Sequence, residues 1–221
     1  MSGGMLAPEA LLKLTSTEIG FGSCTSREPR LCGEQIAELA ELDACAGSRR
    51  RDDFIRGRIA ARRALRGLGI EAPSIPLGAW RQPVWPPGAI GSISHSAGAG
   101  VAVAARATDM RGIGVDVEAR ARHLSLRATR RLLCRAEGWA LEGPAALPWP
   151  LILLCAKEAA YKAVFQAYGR RLLPRDLAFE QPAVEASASL DCEIERPRRR
   201  LRARYALSGR FVVACVELAR G

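Results

Sequence analysis

Apolar positions recur with helical spacing in two long segments of the chain. Over residues 51–68 they form one face that glycines at 67 and 69 interrupt, which predicts an amphipathic helix ending there. A second long helix is predicted over 151–168, with a glycine directly after it as the C-terminal stop. The same spacing predicts shorter helices at 34–42 and 125–141.

Short apolar runs between and after these helices predict strands. Segments 92–94 and 101–105 flank a turn of small residues at Ala97–Gly100, and segment 112–118 follows them. Segment 211–218 shows little alternation, which predicts burial on both faces. Further strands are predicted within 11–21 and at 177–180, 192–195 and 201–206, and the proline-rich segment 83–88 is predicted to be a loop.

Each half of the chain thus combines a long helix with short strands. This order predicts an α+β (α/β) fold made of two packed halves, residues 1–110 and 111–221, each with a long helix on a small, mainly antiparallel sheet. The halves are too dissimilar in sequence to establish a repeat.

Composition and charge limit the classes of partner and the cellular compartment that we expect. The net charge of +10 favours anionic partners, but 5% aromatic residues and the absence of a recognisable motif argue against a nucleic-acid-binding module. Seven cysteines without a CxxC pair favour reduced thiols over a zinc site or a disulfide framework. No basic leader and no apolar run of about 20 residues is present, so we expect a cytoplasmic protein without a membrane span.

The segment GVDVE (114–118) places two carboxylates on one face of a strand. Side chains alternate along a strand, so Asp116 and Glu118 point one way while Val115 and Val117 point into the core. Neighbouring carboxylates repel unless a cation, water or a base lies between them, and hard oxygen ligands suit Mg²⁺. The alternative is an edge strand with two solvated acids.

The segment AKEAAYKA (156–163) adds a carboxylate and two lysines on the second long helix. Glu158 and Lys162 are four residues apart and share a helix face. Lysine is rare in this arginine-rich chain, occurring only at Lys13, Lys157 and Lys162. A third carboxylate there predicts a completed metal site with phosphate-binding lysines beside it, and the alternative is an ordinary surface ion pair.

Two further segments predict anion recognition. GSISHS (91–96) presents Ser94 and His95 beside small residues that let a backbone approach an anion. FIRGRIAARRAL (54–65) places Arg58 and Arg62 four apart on one helix face, and arginine forks match phosphate geometry. The alternatives are a structural histidine and a solvated basic face.

Taken in this order, the four segments resemble the surfactin/enterobactin type of 4′-phosphopantetheinyl transferase over residues 50–170. The resemblance implies two halves related by a pseudo-twofold axis, with coenzyme A in the cleft between them. It also implies Mg²⁺ as cofactor and a monomer acting on an apo carrier protein of siderophore, polyketide or nonribosomal peptide synthesis. One departure is Leu154–Cys155, where family members often have an aromatic and then a small residue.

The resemblance also assigns roles to individual residues. Asp116 and Glu158 become Mg²⁺ ligands, and Glu118 becomes a ligand or positions water or the attacking hydroxyl. The residues expected to contact coenzyme A are Arg58, Arg81, Pro83, Ser94, His95, Lys157 and Lys162, and Arg62 is added to them from its helix face.

The implied reaction is attack of a carrier serine on the β-phosphate of coenzyme A, with loss of 3′,5′-adenosine diphosphate. Glu158 is the first choice for general base and Glu118 the second, and Lys162 stabilises the departing phosphate. The rival hypotheses are a Mg²⁺-dependent phosphohydrolase with the same acids, a nucleic-acid-binding module, and an inactive scaffold, which the intact acidic trio disfavours.

Overall fold

Two antiparallel sheets make up the framework of the chain. The computed structural model describes residues 15, 19–25, 47–72, 74–142, 147–182, 188–195 and 198–220. The first sheet has the order β1-β3-β2, from β1 (Gly20–Thr25), β2 (Ala89–Ser96) and β3 (Ala99–Arg106), and helix α1 (Ser48–Gly67) packs on it.

The second sheet lies entirely in the later part of the chain. Between its first two strands run α2 (Leu126–Leu132), α3 (Trp139–Glu142) and the long helix α4 (Trp149–Tyr168), which packs on the sheet. Its strands are β4 (Met110–Ala119), β5 (Ala178–Phe179), β6 (Ser189–Glu195), β7 (Arg198–Ser208) and β8 (Phe211–Ala219). Their order in the sheet is β4-β8-β7-β6-β5, and every pair is antiparallel.

The two long predicted helices and the strands after residue 90 are confirmed. Gly169 ends α4 in the left-handed conformation, with φ of 64°, as its C-terminal position predicts. The single helix predicted over 125–141 is wrong. The chain there is broken into α2, a 3-10 turn at Arg135–Glu137 and α3, because the carboxylate of Glu137 turns inward and accepts from the backbone of Cys134 and Phe179.

The two elements predicted before residue 45 lie partly or wholly outside the described residues. The first strand begins only at Gly20, so it overlaps the predicted 11–21 segment at its end, and most of that segment lies outside the described residues. The helix predicted over 34–42 lies wholly outside them. The division into halves near residue 110 and their pseudo-twofold relation remain predictions.

Glycines let each long helix lie directly on a strand. A Cβ added at Gly114 would lie 1.9 Å from the carbonyl oxygen of Ala159, and one added at Gly112 would lie 2.3 Å from that of Ala163. Only glycine fits so close to a helix backbone. The helix α4 therefore lies against the face of β4 that continues towards residues 116 and 118.

Among the described residues, three apolar clusters fill the interior. One lies under α1, one lies under α4, and the third is shared by the two sheets. Val115 and Val117 belong to the shared cluster, as strand alternation predicts. The burial of β8 on both faces is confirmed, since Val212 and Ala214 join the α4 cluster while Val213 joins the shared one. Among the described helices, none has the length and apolar character that crossing a membrane requires.

Candidate active site

The carboxylate of Asp116 lies where β4 meets α4. It accepts hydrogen bonds from the Ser94 hydroxyl at 2.7 Å and from the Lys162 ammonium at 2.8 Å. Lys162 also donates to the carbonyl of Val115 at 2.9 Å, so its ammonium points across to the strand. The strand face, the helix face and β2 thus meet at one buried carboxylate.

Two more carboxylates surround this point. Glu118 accepts from the Ser96 hydroxyl at 3.0 Å and pairs with Arg122. Burial raises the pKa of Glu118, and Arg122 and the Ser96 bond oppose that shift. Burial also raises the pKa of Glu158, against the attraction of Lys162 and with a further push from the negative charge of Asp116. Both acids therefore lie within electrostatic range of Asp116.

The donor chemistry of this cluster fits a divalent cation. Burial raises the pKa of Glu118 and of Glu158 in spite of the positive charges of Arg122 and Lys162, and a hard dication would stabilise the charged carboxylates through oxygen ligands. No three histidine, cysteine or acidic side chains among the described residues are grouped closely enough to hold a metal as they stand. A cation at Asp116 has to compete with the ammonium of Lys162.

Lys157 lies apart from Asp116, and its phosphate-binding role remains a prediction. Its side chain is 2% exposed, and its ammonium donates to the carboxylate of Glu137 and to the carbonyls of Leu132 and Pro174. These contacts engage all three of its N–H donors and fasten α4 to neighbouring segments. Five residues correspond to about 140° around a helix, so Lys157 and Lys162 face different surroundings.

A basic cavity of about 320 Å³ lies between α1 and β2, and the structure brings four predicted residues together in it. One ring face of Phe54 packs 4.2 Å from the Arg58 guanidinium carbon. Burial lowers the pKa of His95 from 6.5, opposed mainly by Asp53, whose carboxylate is 3.8 Å from the imidazole. The predicted residues that line this basic cavity are Arg58, Arg81, Pro83 and His95.

Two other predicted residues are placed differently. Ser94 contacts Asp116 rather than the basic cavity. Arg62 lies on α1, 8% exposed, and is not part of the cavity lining.

Arg81, which does line the basic cavity, takes a left-handed backbone conformation with φ of 63°. This conformation is uncommon outside glycine and concentrates at functional sites.

Two further cavities continue from the basic one. An aromatic cavity of about 380 Å³ shares Arg81 and Pro83 with it and is lined by Trp80, Trp85 and Lys162. A leucine cavity of about 240 Å³ lies beyond and shares two residues with the aromatic cavity. These shared residues are Tyr161 and Arg171, and the rest of the leucine cavity is lined by Lys157, Glu158, Leu172, Leu173, Pro174 and Leu177.

Sequence reasoning did not find several of these residues. The guanidinium of Arg171 lies 5.0 Å from the centroid of Trp80 and so links the early loop to the segment after α4. Tyr161 had a usable signal, since it follows Glu158 by three positions and precedes Lys162. For Trp80 and Arg171 the sequence offers none, because 90 residues separate them.

Comparisons with known proteins match almost the same segments. A family model described as "4'-phosphopantetheinyl transferase N-terminal domain" matches residues 37–105, and one described as "4'-phosphopantetheinyl transferase superfamily" matches 112–216. The 4'-phosphopantetheinyl transferase PptT of Mycobacterium tuberculosis is 35% identical over 187 residues, covering 81% of this chain and 77% of that protein.

Two other relatives are matched over shorter regions. The enterobactin synthase component D of Salmonella typhi is 40% identical over 123 residues, covering 53% of this chain and 50% of that protein. The 4'-phosphopantetheinyl transferase Npt of Nocardia iowensis is 36% identical over 140 residues, covering 63% and 61%. The match thus spans about half of the enterobactin component but most of the mycobacterial protein. On these matches, this chain belongs to the 4′-phosphopantetheinyl transferase superfamily.

Proposed function

We propose that this protein transfers the phosphopantetheine arm of coenzyme A to a serine of an apo carrier protein and releases 3′,5′-adenosine diphosphate. One observation carries the proposal. Lys162 pairs with Asp116 and its charge also acts on Glu118 and Glu158, next to two ligand-sized cavities that share Tyr161 and Arg171. Such an arrangement suits a diphosphate whose two substituents extend into different cavities.

The connected cavities support one extended ligand. In the proposal, the 3′-phosphoadenosine end occupies the basic cavity, where His95 and the arginines offer donors to phosphate. The diphosphate lies beside Lys162 in the aromatic cavity. The pantetheine arm extends past Glu158 into the leucine cavity, whose apolar lining suits an aliphatic chain.

The cluster would hold a divalent cation, proposed to be Mg²⁺, through Asp116, Glu118 and Glu158. When bound, such an ion offsets the charge of the diphosphate and orients it. Glu158 would accept the proton of the carrier serine, directly or through water, and burial, which raises its pKa, strengthens it as a base. Glu118 is the second choice for this base.

Lys162 acts at the other end of the reacting bond. As the bond between the β-phosphorus and the bridging oxygen breaks, negative charge grows on that oxygen of 3′,5′-adenosine diphosphate. An ammonium that can turn from Asp116 towards this oxygen stabilises the charge. Most of the remaining acceleration comes from holding the serine and the diphosphate in line.

An arginine-rich surface next to Glu118 supports docking of a carrier protein with an acidic surface. Residues 119–136 contain no acid, and their arginines are exposed. Leu126 is 68% exposed among them and offers a central apolar contact. Charge complementarity there would guide an acidic partner to the site. The basic residues of this surface are Arg120, Arg122, Arg127, Arg130, Arg131 and Arg135.

The decisive experiment measures intact mass. Purified protein is incubated with coenzyme A, Mg²⁺ and a panel of apo carrier domains, and one domain gains the mass of one phosphopantetheine group while 3′,5′-adenosine diphosphate accumulates in equal amount. Release of phosphopantetheine or phosphate without any carrier would favour the phosphohydrolase hypothesis instead. No mass gain on any carrier of the panel would contradict the proposal.

A charge-reversal pair tests the docking surface in the same assay. Arg127→Glu combined with Arg130→Glu is expected to raise the KM for the carrier about 10-fold and to leave the KM for coenzyme A unchanged. Arg199→Glu on β7 is the control, because it reverses an exposed arginine elsewhere. An equal effect of the control would exclude this surface. The monomeric state and the cytoplasmic location remain proposals.

A further inference from the structure

The edges of the two sheets meet along β2 and β4 without forming one sheet. In the described chain β2 pairs only with β3, and β4 pairs only with β8. Side chains bridge the gap instead. The backbone N–H groups of Val115, Val117 and Ala119 donate to the hydroxyls of the β2 serines at 3.0, 3.3 and 3.3 Å. The accepting residues are Ser92, Ser94 and Ser96, in that order.

The glutamine of α4 extends this seam by one step. The side-chain amide of Gln166 donates to the carbonyl of Gly91 at 2.9 Å, and its oxygen accepts from the backbone of Ile113 at 2.9 Å. The seam therefore has four contacts, which fall at every second residue along β4. Each serine precedes the residue whose N–H it accepts by 23 positions, so the register is constant.

Two of the serines have a second bond that the third lacks. Ser94 donates its hydroxyl proton to Asp116 at 2.7 Å, and Ser96 donates to Glu118 at 3.0 Å. The corresponding position opposite Ser92 is Gly114, which has no side chain. Each hydroxyl thus accepts from β4 and can donate to a carboxylate of the same strand, but only where a carboxylate exists.

We propose that Ser94 and Ser96 are positioning residues that set the two β4 carboxylates in register with the coenzyme-binding half of the molecule. A hydroxyl fixed by a backbone N–H leaves its own proton directed at the carboxylate, which limits the rotamers of that acid. The basic cavity and the seam share β2, because His95 alternates with Ser94 and Ser96 along this strand. The register between β2 and β4 would thereby set the distance between the phosphate bound near His95 and the carboxylates of β4.

The inference rests on the proposed function in that the two acids are taken as ligands of a divalent ion. Ser96 is the residue to test, since it is half-buried and its removal leaves the core intact. Ser92 is the matched control, because Ser92→Ala removes a seam bond to the backbone but no bond to an acid. Ser96→Thr retains the hydroxyl and serves as the rescue variant.

The experiment titrates Mn²⁺ against the protein without nucleotide, because Ser92 also lines the aromatic cavity proposed for the diphosphate, and follows the ion by electron paramagnetic resonance. Ser96→Ala is expected to weaken ion binding about 10-fold, Ser96→Thr to restore it, and Ser92→Ala to leave it within about twofold despite a comparable loss in Tm. Hydrogen exchange of the metal-free protein gives a second measurement. The Ala119 amide is expected to be protected in the wild type and to lose protection in Ser96→Ala.

Three results separate the possible failures. Equal weakening by Ser92→Ala and Ser96→Ala, or none by Ser96→Ala, overturns the positioning role while the wild type still binds the ion. An unprotected Ala119 amide in the wild type overturns the seam itself, whatever the enzyme does. A wild type that binds no ion overturns the proposed function, and the positioning role fails with it.

Discussion

The two long helices and their strands are built in the same way but carry different chemistry. In the first half, added Cβ atoms at Gly20 and Gly22 would each lie 1.9 Å from α1 carbonyls, as the one at Gly114 does on α4. In both halves the residue after the second glycine accepts a bond from a basic side chain of the helix. These pairs are Ser23 with Arg63 and Val115 with Lys162.

The next position on the strand distinguishes the halves. It is the buried thiol of Cys24 in the first half and the carboxylate of Asp116 in the second. A shared glycine-on-helix joint therefore supports two surroundings, one with arginines and a histidine and one with acids and a lysine. This likeness is consistent with the predicted pseudo-twofold relation and indicates that chemistry depends on the positions just beyond the joint.

The largest expected effect comes from exchanging the distinguishing residue. Asp116→Ala is expected to lower carrier modification by about 1000-fold, because it removes the acid at the centre of the cluster and leaves Lys162 without that partner. Cys24→Ala, at the matching position, is expected to keep activity within about twofold. Both are measured by the mass-gain assay, with circular dichroism as a folding control. Comparable losses in the two variants would remove the distinction between the halves.

Substitutions at the two lysines of α4 are expected to have different effects, one on stability and the other on activity. Lys157→Met leaves the fully buried Glu137 without its counter-charge and is expected to lower the free energy of unfolding by about 3–5 kcal/mol. Lys162→Met is expected to lower activity about 100-fold with little change in Tm, since its side chain is partly exposed. Urea unfolding and the mass-gain assay measure the two quantities. A stable Lys157→Met protein that has lost only activity would return Lys157 to the phosphate site.

The close approaches of Gly22 to α1 and of Gly114 to α4 provide a matched pair of substitutions that test stability. Gly22→Ala and Gly114→Ala each force a Cβ against a helix carbonyl, so each is expected to lower the free energy of unfolding by about 3 kcal/mol. Thermal unfolding measures both. If Gly22→Ala were tolerated and Gly114→Ala were not, the two halves would not be joined to their helices in the same way.

The smallest effect concerns the pH dependence of the acidic half. Because burial raises the pKa of Glu158, the folded state holds that proton more tightly than the unfolded chain. The resulting stability is complete below the unfolded pKa and is lost as pH rises through the folded pKa. Without metal, Glu158→Gln is therefore expected to raise Tm over wild type by about 2 °C more at pH 8 than at pH 5. A difference that did not grow with pH would place Glu158 in solvent.

The sequence predicts what depends on local periodicity and misses what depends on distant contacts. Alternation along 114–118 was sufficient to put Asp116 and Glu118 on one face, and helical spacing was sufficient for α1 and α4. The partner of Lys157 comes from a 3-10 turn in a segment expected to be helical, so its buried ion pair had no local signal. The role of Ser94 depends on which strand edges meet, and strand patterns alone do not determine that.

Asp116, with Glu118 and Glu158, is proposed to bind the ion that holds the diphosphate of coenzyme A. The most direct test is a crystal structure with coenzyme A and Mn²⁺, in which anomalous scattering locates the ion. We expect one peak in contact with Asp116, with Glu118 or Glu158 as a further ligand and the diphosphate beside Lys162. A peak elsewhere, such as next to Asp53 and His95, or a diphosphate bound away from Lys162, would contradict it.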